Sequence, residues 1–159
     1  MSHYETAQIC INGHMVCSGI ETSRECMENF CQICGGKTIT HCPSCQSPIR
    51  GYYHVEGVIS FSETPVRSYC HHCGNPYPWA EEKIQSLKEL IEFDEKSTTQ
   101  QKEVAISAIP DILVETPKTQ VSAIEMKRFL ASAGNLTRDA VTNLLVAISC
   151  EAAKGAIFH

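Results

Sequence analysis

Three Cys-x-x-Cys pairs, Cys31/Cys34, Cys42/Cys45 and Cys70/Cys73, crowd into residues 31–73. Few folds accept such a run. A redox Cys-x-x-Cys pair belongs between the strand and helix of a βαβ unit, whereas three pairs in a short, strand-rich segment point to metal. The turn sets both sulfurs on one side of a loop, and two such turns facing each other supply the tetrahedral sulfur and nitrogen set that zinc prefers. Gly35 and Gly74 follow the second Cys of their pairs, where a positive φ is often needed. The sequence Cys42-Pro-Ser-Cys45 instead places Pro43, with its fixed φ, inside the turn.

Six thiols make one complete four-ligand site and half of another. Pairing consecutive turns joins Cys42/Cys45 to Cys70/Cys73 and leaves Cys31/Cys34 in need of an upstream partner. The choices are Cys10, His14, Cys17 and Cys26, with His3 too near the terminus to favour. Cys10-Ile-Asn-Gly-His14 is preferred, because Asn-Gly is a turn signal lying between two ligand types. The expected sites are therefore Cys10, His14, Cys31 and Cys34 for the first, and Cys42, Cys45, Cys70 and Cys73 for the second, with zinc at two ions per chain. Cys17 in place of His14 stays open, as does an interleaved pairing of the turns. Cys26 reads as a spectator thiol, and Cys150 as a small hydrophobe on an apolar helix face.

The remaining composition narrows the setting. Ten cysteines in a chain whose opening, MSHYETAQIC, lacks a secretory pattern favour a reduced, cytoplasmic protein without disulfides. The apolar late stretch VTNLLVAISCEAAKGAIF is interrupted by Glu151, Lys154 and Gly155, which argues against a membrane span. Nine of the ten cysteines precede Gly74, after which the pattern becomes helical. This divides the chain into a head, 1–78, and a tail, 79–159. The head carries four Lys/Arg against six Asp/Glu, and the tail nine against twelve. An acidic balance disfavours phosphate backbones, whose affinity comes mainly from Lys and Arg.

The fold class expected is α+β, a strand-rich double zinc ribbon followed by three or four helices. Strands are expected at 7–11, 37–40, 51–55, 58–60 and 66–69, from their Ile, Val, Thr and Tyr content. Ile84, Leu87 and Ile91 predict a first helix over 79–95. Ser97 and Gln100 resemble a capping box for a second helix that Pro110 should break. Thr116-Pro117 should open a third helix that Gly134 closes. A fourth runs from Thr137 along the stripe Val141, Leu144, Leu145, Ile148 and Ala152.

The chain contains no H-E-x-x-H, no phosphate-binding glycine loop and no G-x-S-x-G, so no catalytic residues are assigned. His41, His54, His71 and His72 read as solvent-facing. Arg50, Tyr52, Tyr53, Arg67, Tyr69, Tyr77 and Trp79 could form a nucleic-acid stacking surface. Aromatics beside a ribbon more often fill its small core, and Trp79 reads as the residue that docks the first helix. The third helix is apolar on more than one side, with Val121 and Ile124 as well as Met126, Phe129, Leu130 and Ala133. It should be covered by its own bundle, a protein partner or a second copy of the chain.

The strings HYETAQICINGH, FCQICG, HCPSC, GYYHV, CHHCGNPYPW and TPKTQV together resemble an uncharacterised bacterial family, the domain of unknown function numbered twenty-three twenty-one. The resemblance covers nearly the whole chain. It implies a double zinc-ribbon head with a helical tail, favours the Cys10/His14 assignment, and implies no reaction. The reading is a non-enzymatic interaction module, with nucleic-acid binding as the runner-up and a zinc hydrolase as a distant alternative.

Overall fold

The computed structural model describes all residues, 1–159. The chain is α+β, with short antiparallel strands first and helices after. It divides into two compact units, Met1–Glu81 and Glu82–His159.

In the first unit, β1 (His3–Thr6) pairs with β5 (Arg50–His54), placing Tyr4 opposite Tyr53 and His3 opposite His54. A register shift between Tyr4 and Thr6 marks a bulge, beyond which Thr6 faces Arg50. β2 (Gln8–Cys10) lies between β3 (Met15–Cys17) and β4 (Thr38–Ile39) in a second sheet. The expected strand at 7–11 corresponds to β2, and Ala7 just before it donates its N–H to the Ile49 carbonyl at 2.7 Å; β1 was not expected. No strand forms at 58–60, and 66–69 contributes only an isolated bridge between Tyr69 and Pro76. Propensity without a pairing partner does not make a strand.

The core of this unit is small: Ala7, Ile9, Ile49, Tyr77, Trp79 and Ala80, joined by Cys42 and Cys70. Trp79 stacks on Tyr77 at 4.8 Å between centroids and donates its indole N–H to the Arg67 carbonyl at 2.9 Å. Gly13 sits against it with φ +89°, and a Cβ there would lie 3.0 Å from the Trp79 Cβ. Gly51 is required for a different reason, because a Cβ would collide with the Ser18 carbonyl. The loop after β3 is held by reciprocal bonds. The carboxylate of Glu5 accepts from the Thr22 N–H and hydroxyl at 3.2 and 2.8 Å, while Glu21 accepts from Thr6 N–H at 2.7 Å.

Five helices follow: α1 (Pro78–Glu92), α2 (Thr99–Leu113), α3 (Thr119–Ser132), α4 (Asn135–Ile148) and α5 (Glu151–Phe158). The core of the second unit includes Leu87, Ile91, Ile109, Met126, Val141 and Leu145, all fully buried. Several helix expectations are corrected, starting with their number, since the tail forms five helices rather than three or four. The capping box lies one residue later than expected, with Thr98 and Gln101 each accepting from the other's backbone N–H at 3.2 and 2.8 Å. Pro110 does not break α2; it lies exposed near the end, and the helix continues to Leu113. Gly134 has φ −63° and serves as the N-cap of α4 rather than a left-handed terminator of α3. The final helical stripe is also divided, since Ser149 and Cys150 are extended and Ala152 belongs to α5. Thr116 does not cap α3, which starts at Thr119 behind Lys118 with no side-chain cap; the Thr116 hydroxyl accepts from the Lys118 N–H at 3.1 Å within the turn that precedes the helix. No helix is long and apolar enough to cross a membrane.

Candidate metal centres

All three Cys-x-x-Cys turns have the same backbone. The first Cys donates its N–H to the carbonyl five residues on, at 2.8 Å for Cys31 to Gly36, 2.8 Å for Cys42 to Ser47 and 2.9 Å for Cys70 to Asn75. Its own carbonyl accepts from the residue after the second Cys, at 2.7 Å from Gly35, 2.8 Å from Gln46 and 2.9 Å from Gly74. That residue is left-handed in each turn, with φ of +71°, +63° and +75°. Glycine adopts this conformation freely, whereas Gln46 does so at a cost of about 1 kcal/mol. Pro43 therefore did not remove the need for a positive φ in the middle turn.

The opening stretch forms a fourth, wider turn. Cys10 ends β2, Gly13 N–H bonds back to its carbonyl at 2.9 Å, and Cys10 N–H bonds to the His14 carbonyl at 3.0 Å. The His14 N–H then points at the Cys10 sulfur at 3.2 Å. Pairing of β2 with β4 sets this turn beside the one at Cys31.

These turns meet in two clusters. The ligand atoms of Cys10, His14, Cys31 and Cys34 lie within 4.8 Å of one another, as do those of Cys42, Cys45, Cys70 and Cys73. The consecutive grouping is the one the fold brings together, and the interleaved one is not. Zinc–sulfur bonds of about 2.3 Å in a tetrahedron imply sulfur–sulfur edges of about 3.8 Å, and sulfur–nitrogen edges of about 3.6 Å. The sulfur pairs Cys10/Cys34, Cys42/Cys73 and Cys45/Cys70 are 3.7, 3.8 and 3.7 Å apart. His14 Nδ1 lies 3.4 Å from the Cys10 sulfur and 3.6 Å from that of Cys31. These edges are near those of a tetrahedral site, so each cluster could hold one ion.

The Cys34 and Cys45 thiols are drawn towards the deprotonated form, whereas Cys73, despite a lowering bond from the Asn75 backbone, is pushed up to about 11 by burial and the neighbouring sulfurs. Hydrogen bonds from the Asn12 side chain, at 3.2 Å, and the Gly36 N–H, at 3.4 Å, bring the Cys34 thiol down to about 6. The backbone and side chain of Ser47 do the same for Cys45, also to about 6. Burial pushes the Cys10 thiol up instead. Binding a cation reverses that effect, because a coordinating thiol gives up its proton.

Cys17 and Cys26 belong to neither cluster. They are joined as a disulfide with Cα atoms 5.5 Å apart, which corrects both the expectation of no disulfide and the reading of Cys26 as a spectator. β3 ends at Cys17, and the short 3-10 turn Arg24–Cys26 returns the chain beside it. Only the folded loop brings them together; their spacing of nine residues carries no Cys-x-x-Cys signal. Cys150 is half-buried against the tail core. Of the proposed stacking residues, Tyr77 and Trp79 are buried in the head core.

A chain with two four-residue Cys/His clusters on small antiparallel sheets, followed by helices, belongs among α+β proteins with potential metal-binding turns. More particularly, it belongs to the bacterial family described as "Uncharacterized protein conserved in bacteria (DUF2321)", whose model matches residues 3–157. Neither a curated protein nor a solved structure matches the chain.

Proposed function

We propose that this chain is a zinc-binding, non-enzymatic interaction module of the bacterial cytoplasm, with a double-ribbon head carrying two zinc ions. Cys10, His14, Cys31 and Cys34 hold one ion, and Cys42, Cys45, Cys70 and Cys73 the other. One observation carries this reading: each cluster gathers four sulfur or imidazole donors within 4.8 Å of one another, with edges of 3.4–3.8 Å among them, near those of a zinc tetrahedron. Thiolate-rich sets select zinc over hard cations such as magnesium or calcium. Four protein ligands leave no position for water or substrate, the arrangement of structural sites rather than catalytic ones. A head core of so few side chains needs such staples, so metal binding and folding are coupled.

The interaction role is supported in the tail. Met126, Phe129 and Leu130 of α3 are covered by their own unit, yet Val121 and Ile124 on the same helix stay 60% and 49% exposed. An apolar pair one turn apart on a surface helix suits a protein partner or a second copy of the chain. The test has two parts. Native mass spectrometry of protein purified from zinc-supplemented cells should show two zinc ions per chain, and one ion would overturn the double site. Capture from the host with wild-type and V121D/I124D baits should retain a partner on the wild type alone. Identical capture by both baits would remove the tail from the reading.

A further inference from the structure

The cationic side chains of the head are few, and two of them line one cavity. Arg50 at the start of β5 and Arg67 before the third Cys-x-x-Cys turn both line a cavity of about 180 Å³, together with Tyr4, Ile49, Tyr69 and His71. An adjoining cavity of about 210 Å³ shares Tyr4, Ile49, Arg50 and His71. The residues come from separate parts of the unit, so only its fold collects them.

Both arginines are uncommitted. Neither guanidinium has a carboxylate within ion-pair distance, and neither donates a hydrogen bond. They do not bond the sulfurs of the neighbouring cluster, where Cys70 accepts from the His72 backbone N–H instead. The carboxylate lining the second cavity is Glu5, which is 2% exposed and already engaged with Thr22 and His3. The Arg50 guanidinium lies 4.6 Å from the centroid of the Tyr4 ring. Stacking there fixes the plane of the fork while leaving its N–H donors free. The backbone at Arg67 is fixed in turn by the Trp79 indole bond to its carbonyl. Tyr4 also contacts Tyr53 across the strand pair at 4.9 Å, so the cations border a surface of aromatic rings.

A pair of free guanidinium forks recognises phosphate in bidentate fashion, and accessible tyrosine rings recognise planar bases. We infer that Arg50, Arg67, Tyr4 and Tyr69 form a binding site for a nucleoside phosphate, either free or as one unit of a single strand. Arg50, steadied on the Tyr4 ring, and Arg67 hold the phosphate, and the half-buried ring of Tyr69 borders the base. The acidic balance of the chain confines this recognition to one or two nucleotides, since no wider basic groove exists to follow a strand. The site is independent of the interaction role proposed for the tail.

The test uses the full metal-loaded chain and the anisotropy of a fluorescein-labelled ten-nucleotide deoxythymidine strand, with unlabelled thymidine monophosphate as competitor. Binding is expected to weaken at least tenfold in R50A/R67A, and to weaken in R50K/R67K, where charge remains but the fork is lost. R24A removes a head cation outside the cavity and should bind as the wild type does. Unchanged metal content and Trp79 emission in each variant show that the head is folded. Displacement by the monophosphate assigns a mononucleotide site, while strand binding without displacement assigns a unit within a strand. Absence of wild-type binding to both probes at millimolar concentration overturns the proposal, as does equal weakening in R24A.

Discussion

Asp94 offers a sharp test of how the helical unit is held together. It follows α1, is 2% exposed, and spends its two carboxylate oxygens on different partners. Oδ2 accepts from the Ser97 N–H at 2.7 Å, at the approach to α2, and Oδ1 from the Gly134 N–H at 2.9 Å, at the N-cap of α4. Burial alone would raise its pKa, but these bonds outweigh it and bring the carboxyl from 3.8 to about 2. At about 1.4 kcal/mol per pKa unit, this depression corresponds to about 2 kcal/mol of stability. Because the folded pKa is depressed, that stability is fully present above pH about 4 and disappears as pH falls through about 2. D94N keeps the shape but has one acceptor oxygen, so its amide must face one of the two N–H donors. Urea denaturation of the full chain, followed by circular dichroism at 222 nm, should show the helical transition weakened by about 2 kcal/mol at pH 7. The difference from wild type should shrink as pH falls from 4 towards 2. A variant within 0.5 kcal/mol of wild type at pH 7, by about the spread of neutral surface changes, would refute the reasoning.

Other expectations concern the head, which Trp79 emission reports separately. H14A should lose affinity at one metal site, while H14C should retain it by completing a four-sulfur set; equal metal retention in H14A and wild type would remove His14 from the ligands. Q46G should stabilise the head by up to about 1 kcal/mol, and G35A should cost about 1 kcal/mol, because each changes a left-handed residue in the same turn type. Nothing lies within 4 Å of a Cβ added at Gly35, so a much larger loss in thermal denaturation would point to a different turn. C17S/C26S should leave the metal count unchanged, and under oxidising conditions should cost about 2–3 kcal/mol, the chain entropy of closing a short loop. A lost metal ion in that variant would mean that the pair serves a cluster after all.

Local chemistry was legible without the fold. Candidate ligand turns announce themselves because the sulfurs of a Cys-x-x-Cys pair are brought together by a few consecutive residues. The same holds for the turn at Thr116, whose hydroxyl bonds to Lys118 only two residues away, although the helix itself starts later, at Thr119. Helical periodicity marked the second half as readily, since burial repeats along one face. Errors arose where a neighbour distant in sequence decides. Gly134 reads as a terminator until Asp94 accepts its N–H from forty residues away. The segment 58–60 has strand propensity but no strand beside it. By contrast, the preferred reading of Tyr77 and Trp79 as core residues holds, since both are buried.

Sequence alone therefore determined the kinds of turn and helix, and the supply of sulfur and imidazole donors, because these depend on contacts within a few residues. Tertiary structure decided which turns face each other, because β2 carries the Cys10 turn to β4 and so to Cys31. It also joined Cys17 to Cys26 and drew Arg50 and Arg67 to one cavity. Such meetings depend on strand pairing and core closure, whose free energy is summed over the whole unit and carried by no short stretch of chain.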